Sequence, residues 1–236
     1  MNRKLAKFAI AAAALAMFAP LYAQEEEVPE GTVGWTPIAI GIATPVQLPW
    51  GLNRWDVYGL DLNLFYSDAP EMIGLDIGGL AEVTREESKG VMIGTLLNLA
   101  CKDVYGVRLG VGINYAIHDV YGVELGLIGI RQNIKGVDLE LLGTAQRNVS
   151  GFQLGGLANV TSEQSYGCTL AVGCNLARKA YGLQFAAIFN MTEELHGCQI
   201  ALVNFADDCP NGFQVGLVNI IMSNTVKVLP LVNGYF

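Results

Sequence analysis

The chain is predicted to be all-β, a β-solenoid of about eleven coils of 14–16 residues each. Three observations predict it. A glycine returns at that interval, at Gly59, Gly74, Gly90, Gly106, Gly122, Gly136, Gly151, Gly167, Gly182, Gly197 and Gly212. Beside each glycine the side chains alternate with a period of two, the signature of a strand. Each column of that alternation keeps one residue class from end to end, as stacked copies of a single unit require.

With each glycine counted as position 0, position 1 is Leu60, Leu75, Val91, Val107, Val123, Val137, Phe152, Cys168, Leu183, Cys198 and Phe213. Position 3 is apolar in all eleven repeats, from Leu62 to Val215. Position 2 lies between them and is polar or charged in ten of eleven cases, among them Asp61, Arg108, Glu124, Asp138 and Gln214. On this pattern positions 1 and 3 face the core. Positions 2, 4 and 6 then form the outer face, on which small residues at position 4 beside apolar ones at position 6 make a shallow apolar contact strip. Seven repeats place an asparagine at position 7 or 8, namely Asn98, Asn114, Asn159, Asn175, Asn190, Asn204 and Asn219. Asparagine tolerates left-handed backbone angles, so these are expected at stacked corners. A short polar stretch and often a tyrosine (Tyr58, Tyr105, Tyr121, Tyr166, Tyr181) complete each repeat.

An antiparallel outer-membrane β-barrel of about 12 strands is the alternative. The chain is 52% hydrophobic and ends in Tyr235-Phe236 after an apolar stretch, and eleven repeats plus a flanking segment approach an even strand number. In such a barrel successive strands run in opposite directions, and short turns alternate with longer loops. The columns here do not alternate and the connections are uniformly short, which favours the solenoid.

The N-terminus has basic residues at Arg3, Lys4 and Lys7, an apolar run from Phe8 to Phe18 and a small-residue exit at Leu21-Tyr22-Ala23. That pattern predicts a secretory signal peptide over residues 1–23. Residues 24–36, with Glu25, Glu26, Glu27 and Glu30, are expected to be a flexible acidic lead-in. Residues 37–236 are expected to form a single β-repeat domain, with Pro37–Pro49 and Leu229–Phe236 capping its open ends. A net charge of −8 without any cluster of Lys and Arg excludes a nucleic-acid partner.

Residues that could carry chemistry are few. His118 and His196 are isolated and read as surface substitutions. Asp138 and Glu140, two apart on a strand, share a face and read as a solvated acidic patch. Gly110 and Gly112 are not followed by a helix, so they make no phosphate cradle. Asn148, Asn159 and Asn190 match a glycosylation acceptor by coincidence, since two of them belong to the repeat. Five cysteines, Cys101, Cys168, Cys174, Cys198 and Cys209, are an odd number without any C-x-x-C pair, and Cys168 and Cys198 read as small core hydrophobes. No catalytic, cofactor-binding or metal-ligating residue is expected, and the chain is not expected to be an enzyme.

The phrases Gly-Phe-Gln-Val-Gly-Leu-Val-Asn at 212–219 and Gly-Cys-Gln-Ile-Ala-Leu-Val-Asn at 197–204 resemble the repeats of a family of uncharacterised bacterial surface-repeat proteins. Thr44–Pro49 followed by Asp56–Gly59 resembles that family's opening segment, and Leu229–Asn233 its closing one. The likeness covers about residues 37–236 and implies an exported, envelope-associated protein, with no catalytic residue carried over. The early repeats depart from it, with Asp, Glu or Arg in place of Gln at position 2, and Thr144 and Ile130 stand where Asn is expected. The expected function is a structural or binding role at the cell envelope or surface, with an envelope component or another protein as partner. A membrane pore or anchor is the role expected of the alternative barrel.

Overall fold

The strands of this chain stack in parallel, glycine upon glycine. A computed structural model describes residues 32–235 except Pro45, so the expected signal peptide lies outside the described residues. Gly59, Gly74, Gly90, Gly106 and Gly122 pair in register across β3 (Trp55–Ala69), β4 (Met72–Gly78), β6 (Ser88–Gly94), β8 (Val104–Gly110) and β10 (Asp119–Ala171). Gly167, Gly182, Gly197 and Gly212 continue the register through β11 (Cys174–Ala186), β12 (Phe189–Ile200) and β13 (Val203–Ile221). The return run of each coil stacks likewise, through β5 (Ala81–Thr84), β7 (Leu97–Ala100) and β9 (Ile113–Ala116). Consecutive repeats thus run in the same direction, and the antiparallel barrel is overturned in favour of the β-solenoid.

The glycine column exists because neighbouring coils leave it no room. A β-carbon on Gly122 would lie 1.9 Å from the carbonyl oxygen of Gly106, and the Gly122 φ of 147° is one that side-chain-bearing residues rarely adopt. The same approach recurs along the column, so glycine at position 0 sets the spacing of the stack.

Both ends of the stack are closed by reversed strands. Before the first repeat, β1 (Gly34–Ala43) lies parallel on β3, and β2 (Val46–Leu48) turns back antiparallel on β1. Strand β1 takes in Gly34–Thr36, which the sequence assigns to the lead-in. After the last repeat, β14 (Val228–Gly234) runs antiparallel to β13.

The sidedness of the coil is the reverse of the sequence expectation. All eleven position-2 residues face inward and are 3% exposed or less, while positions 1 and 3 face outward. The interior has two halves. One is apolar, built for example by Val104, Val120, Ile134 and Val149, and near the C-terminal end by Ala180, Leu195, Ala206 and Ile221. The other is polar, made of the position-2 column, the asparagines and the small residues of position 4. Those small residues act as sockets: a β-carbon on Gly94 would lie 1.9 Å from Oδ1 of Asn98, and one on Gly126 would lie 2.5 Å from Nδ2 of Asn114. Position 4 is therefore no part of an outer contact strip.

A polar column can be buried because its members hydrogen-bond to one another, which offsets the cost of removing them from water. Gln199 donates to Gln184 at 2.9 Å, and Gln214 to Gln199 at 2.8 Å. The asparagines do the same from coil to coil. None of them has a positive φ, so they are not corner residues but inward rungs of the return run.

Candidate functional site

Two places in the molecule stand apart from the repeat, a charge network sealed inside the central coils and the apolar exterior. The network arises where position 2 carries Arg108, Glu124 and Asp138. Arg131 enters beside them from the return run. Arg108 Nε donates to Glu124 at 2.7 Å, and Arg131 lies 2.8 Å from Glu124, 2.9 Å from Glu140 and in contact with Asp138. Gln153 donates to Asp138 at 2.8 Å and joins the network to the next coil. Two guanidiniums face three carboxylates here, one negative charge in excess. Burial pushes the Glu140 carboxyl up to about 8 against the opposing pull of Arg131, so at neutral pH it holds a proton and the network is balanced.

Gly129 makes room for this cluster. It occupies the asparagine column, paired with Asn114, and a β-carbon there would lie 1.8 Å from Glu140 and 1.9 Å from Arg131. The gap in the column thus falls at Gly129, not Ile130, with Thr144 following and donating to the Gly129 carbonyl at 2.7 Å. Asp138 and Glu140 share a face as the sequence indicates, but that face is the interior. They form no solvated patch.

A second interior group, Asp61, Asp76 and Glu82, occupies the first coils, and none of the three is paired with a cation among the described residues. Ser67 and Asn63 each donate to Asp61 at 2.5 Å, and the Gly78 amide donates to Glu82. Burial raises Asp61 to about 6, Glu82 to about 8 and Asp76 well above the ordinary carboxylate range. At neutral pH Glu82 therefore holds its proton and acts as a neutral hydrogen-bonding group, while Asp61 is mostly ionised and is held by the Ser67 and Asn63 donors, which lets the acids share one dry compartment.

The remaining candidates disperse. His118 is exposed on a loop, while His196 stacks on Tyr181 with ring centroids 4.6 Å apart and bonds Glu194 at 2.6 Å. Asn159 and Asn190 are buried rungs, and Asn148 bonds Asn133 at 2.9 Å. Gly112 sits where a β-carbon would meet the Leu96 carbonyl at 2.0 Å, and Gly110 is a socket for the asparagine column, so both serve packing. All five cysteines are free. Cys168 and Cys198 are half-buried on the outer face rather than in the core, and Cys209 is the buried one. Among the described residues no group of His, Cys, Asp and Glu is arranged to hold a metal ion.

The exterior was missed by the sequence reading. Positions 1, 3, 5 and 6 face outward, and Leu127, Leu157, Ile188, Leu202 and Leu217 are exposed at or beside the turn that joins the two runs. Between Asp56 and Asp208 every charged side chain is either interior or placed along the opposite edge. That edge carries Arg85, Lys102, Arg147, Glu163, Arg178 and Glu193. Beside the edge runs a stacked column: Tyr105 on Tyr121 at 4.9 Å and Tyr166 on Tyr181 at 4.7 Å, with the Lys135 ammonium 5.0 Å from the Tyr121 ring. Near the C-terminal end a shallow groove crosses Gly182, Gly197 and Gly212, with Tyr181 and His196 on one side and Leu183, Cys198 and Phe213 on the other.

The fold and its surfaces define a β-solenoid repeat protein of about eleven coils, polar within one half of its interior and apolar over most of its exterior. Comparison of the chain with family models, with curated proteins and with solved structures finds no match.

Proposed function

We propose that this chain is an exported, non-enzymatic protein of the cell envelope that works through its apolar exterior, in a structural or binding role. One observation carries the reading: charge is confined to a single edge and the interior, leaving both flanks and the connecting turn apolar. Contiguous apolar surface on this scale marks a contact site. The basic start, apolar run and Leu21-Tyr22-Ala23 exit support export, as does the resemblance to bacterial surface-repeat proteins. A non-enzymatic role fits a charge network closed off from solvent at Arg108, Glu124 and Arg131.

Fractionation of producing cells, with N-terminal sequencing of the recovered protein, tests this. The expected result is a chain that starts at Gln24 in the envelope fraction. A chain that retains Met1 and stays in the cytosolic fraction sinks the proposal.

A further inference from the structure

We propose that the surface covering the apolar exterior is the hydrocarbon of one membrane leaflet, with the solenoid lying in the membrane plane, its turn edge inserted and its charged edge in water. This rests on the reading above, that the exterior is the working surface, and names its partner. Four observations converge on lipid.

First, the apolar surface wraps three sides. Leu125, Leu154 and Phe185 on the first run, Leu157 and Leu217 at the turn, and Val203 on the return run are all exposed. A flat protein partner or a second copy covers one flank. A fluid hydrocarbon covers both flanks and the edge between them.

Second, much of the backbone at that edge is already paired. Hydrocarbon offers no hydrogen bonds, so every N–H and C=O entering it must be paired internally. The turn amides of Leu80, Leu96, Ile128, Gly173, Ile188 and Val218 all donate to a carbonyl of the preceding coil, at 2.9–3.2 Å. On the inner side, the asparagine column donates to position-3 carbonyls such as Leu125 O at 3.0 Å and Ile200 O at 3.0 Å. The edge with the fewest charges is thus one at which these six coils each pair a turn amide with the coil before.

Third, the boundary between the apolar flank and the charged edge is marked by the tyrosine column with Lys89, Lys135 and His196 interleaved. Aromatic rings with polar tips belong at the headgroup level.

Fourth, the dimensions fit a leaflet. Half of a hydrocarbon core of about 30 Å is about 15 Å, the length of roughly four or five extended residues. Inserted to that depth from position 6, the coil submerges positions 2 to 6 and leaves the glycine and tyrosine columns at the interface. A full crossing needs a second polar rim beyond the turn, and positions 5 and 6 carry no charge in any repeat.

The test is flotation of the protein, as recovered from cells, with phosphatidylcholine vesicles, beside two variants. L127E/L157E/L202E places charge on the turn edge, and R147A/E163A alters the opposite edge. Circular dichroism confirms the β signal of each, and trypsin reports whether Arg147 and Arg178 stay accessible on the vesicles. The expected result is that the wild-type protein floats with both arginines cleavable, that R147A/E163A floats with Arg178 cleavable, and that L127E/L157E/L202E partitions at least about tenfold more weakly with its β signal intact. Any retained N-terminal leader is common to all three proteins and cannot produce that difference. If L127E/L157E/L202E misfolds, the single variant L157Q is compared instead, with a smaller loss in the same direction expected. The proposal is overturned if the wild-type protein stays with the lipid-free fraction, if all three float equally, or if the wild type is a detergent-sensitive oligomer that the turn substitutions convert to monomer without vesicles, which assigns the face to a second copy. None of these outcomes bears on export, which the N-terminal sequence decides separately.

Discussion

Asn190 gives one amide hydrogen to Asn204 Oδ1 and the other to the Ile200 carbonyl, both at 3.0 Å, while accepting from Asn175 at 2.9 Å. A single side chain therefore ties three coils together and also caps a backbone acceptor of the facing run. Asn190→Leu keeps the volume but leaves two acceptors and one donor unpaired in a closed interior. At about 1–3 kcal/mol for each buried group left unsatisfied, the loss should be about 3 kcal/mol or more in denaturant unfolding. Asn148→Ala, which removes a bond at the edge, should cost about 1 kcal/mol or less by the same measurement.

Gly122→Ala should be among the most damaging single-carbon changes in the chain. The new methyl must displace the Gly106 carbonyl, which belongs to the backbone of the adjacent coil, and it also imposes an unfavourable φ. A loss of about 3 kcal/mol or more is expected. Gly156→Ala is the contrast, because the nearest atom there is the flexible Leu141 Cδ1 at 2.6 Å. Its midpoint should move by about 1 kcal/mol or less, and equal costs at the two positions would refute the spacing role of the glycine column.

Arg131→Met should destabilise by about 3–5 kcal/mol, because it leaves Glu124, Asp138 and Glu140 around an empty centre. Adding Glu140→Gln to that variant removes one of the acids and should restore part of the loss. A double-mutant cycle reads the coupling directly.

Stability should fall as pH rises. The folded-state values of Asp61, Glu82 and Glu140 lie above their ordinary ones, at about 6, about 8 and about 8, chiefly through burial. A carboxyl raised in this way binds its proton more tightly in the folded chain, so its contribution is complete below the unfolded carboxylate range and is lost progressively up to the folded value. Denaturant midpoints should therefore decline between about pH 4 and about pH 8 and level off above. Glu82→Gln should flatten that decline. An unchanged slope would show that Glu82 is ionised in the folded protein.

The stacking direction, the coil length and the repeat boundaries were legible because they depend only on period, and the glycine and asparagine columns keep theirs. Sidedness was not legible, because an alternation of period two identifies two faces without saying which one meets the interior. The usual assignment, apolar inward, fails when the polar residues can bond their own copies one coil away, as Gln184, Gln199 and Gln214 do. A signal was present nonetheless. Gly94, Gly110 and Gly126 share the parity of the position-2 column, and glycine is needed where space is short, which is inside. The opposite charges of Arg108 and Glu124 in adjacent repeats pointed the same way, since charges that face each other in register can pair. The true gap in the asparagine column, at Gly129, was hidden because the repeat that runs from Gly122 to Gly136 is shorter than both of its neighbours.

A pile of parallel coils has no intrinsic stopping point, since its last rung offers a newcomer the same bonding groups that it received. Here β14 reverses direction, and Val215 pairs with Val232 and Ile220 with Val228 in antiparallel register. A second molecule arriving at that rim meets a strand of the wrong polarity and cannot extend the lattice. The reversed strand therefore acts as a terminator of the parallel stack, which makes this rim a poorer seed for fibril growth.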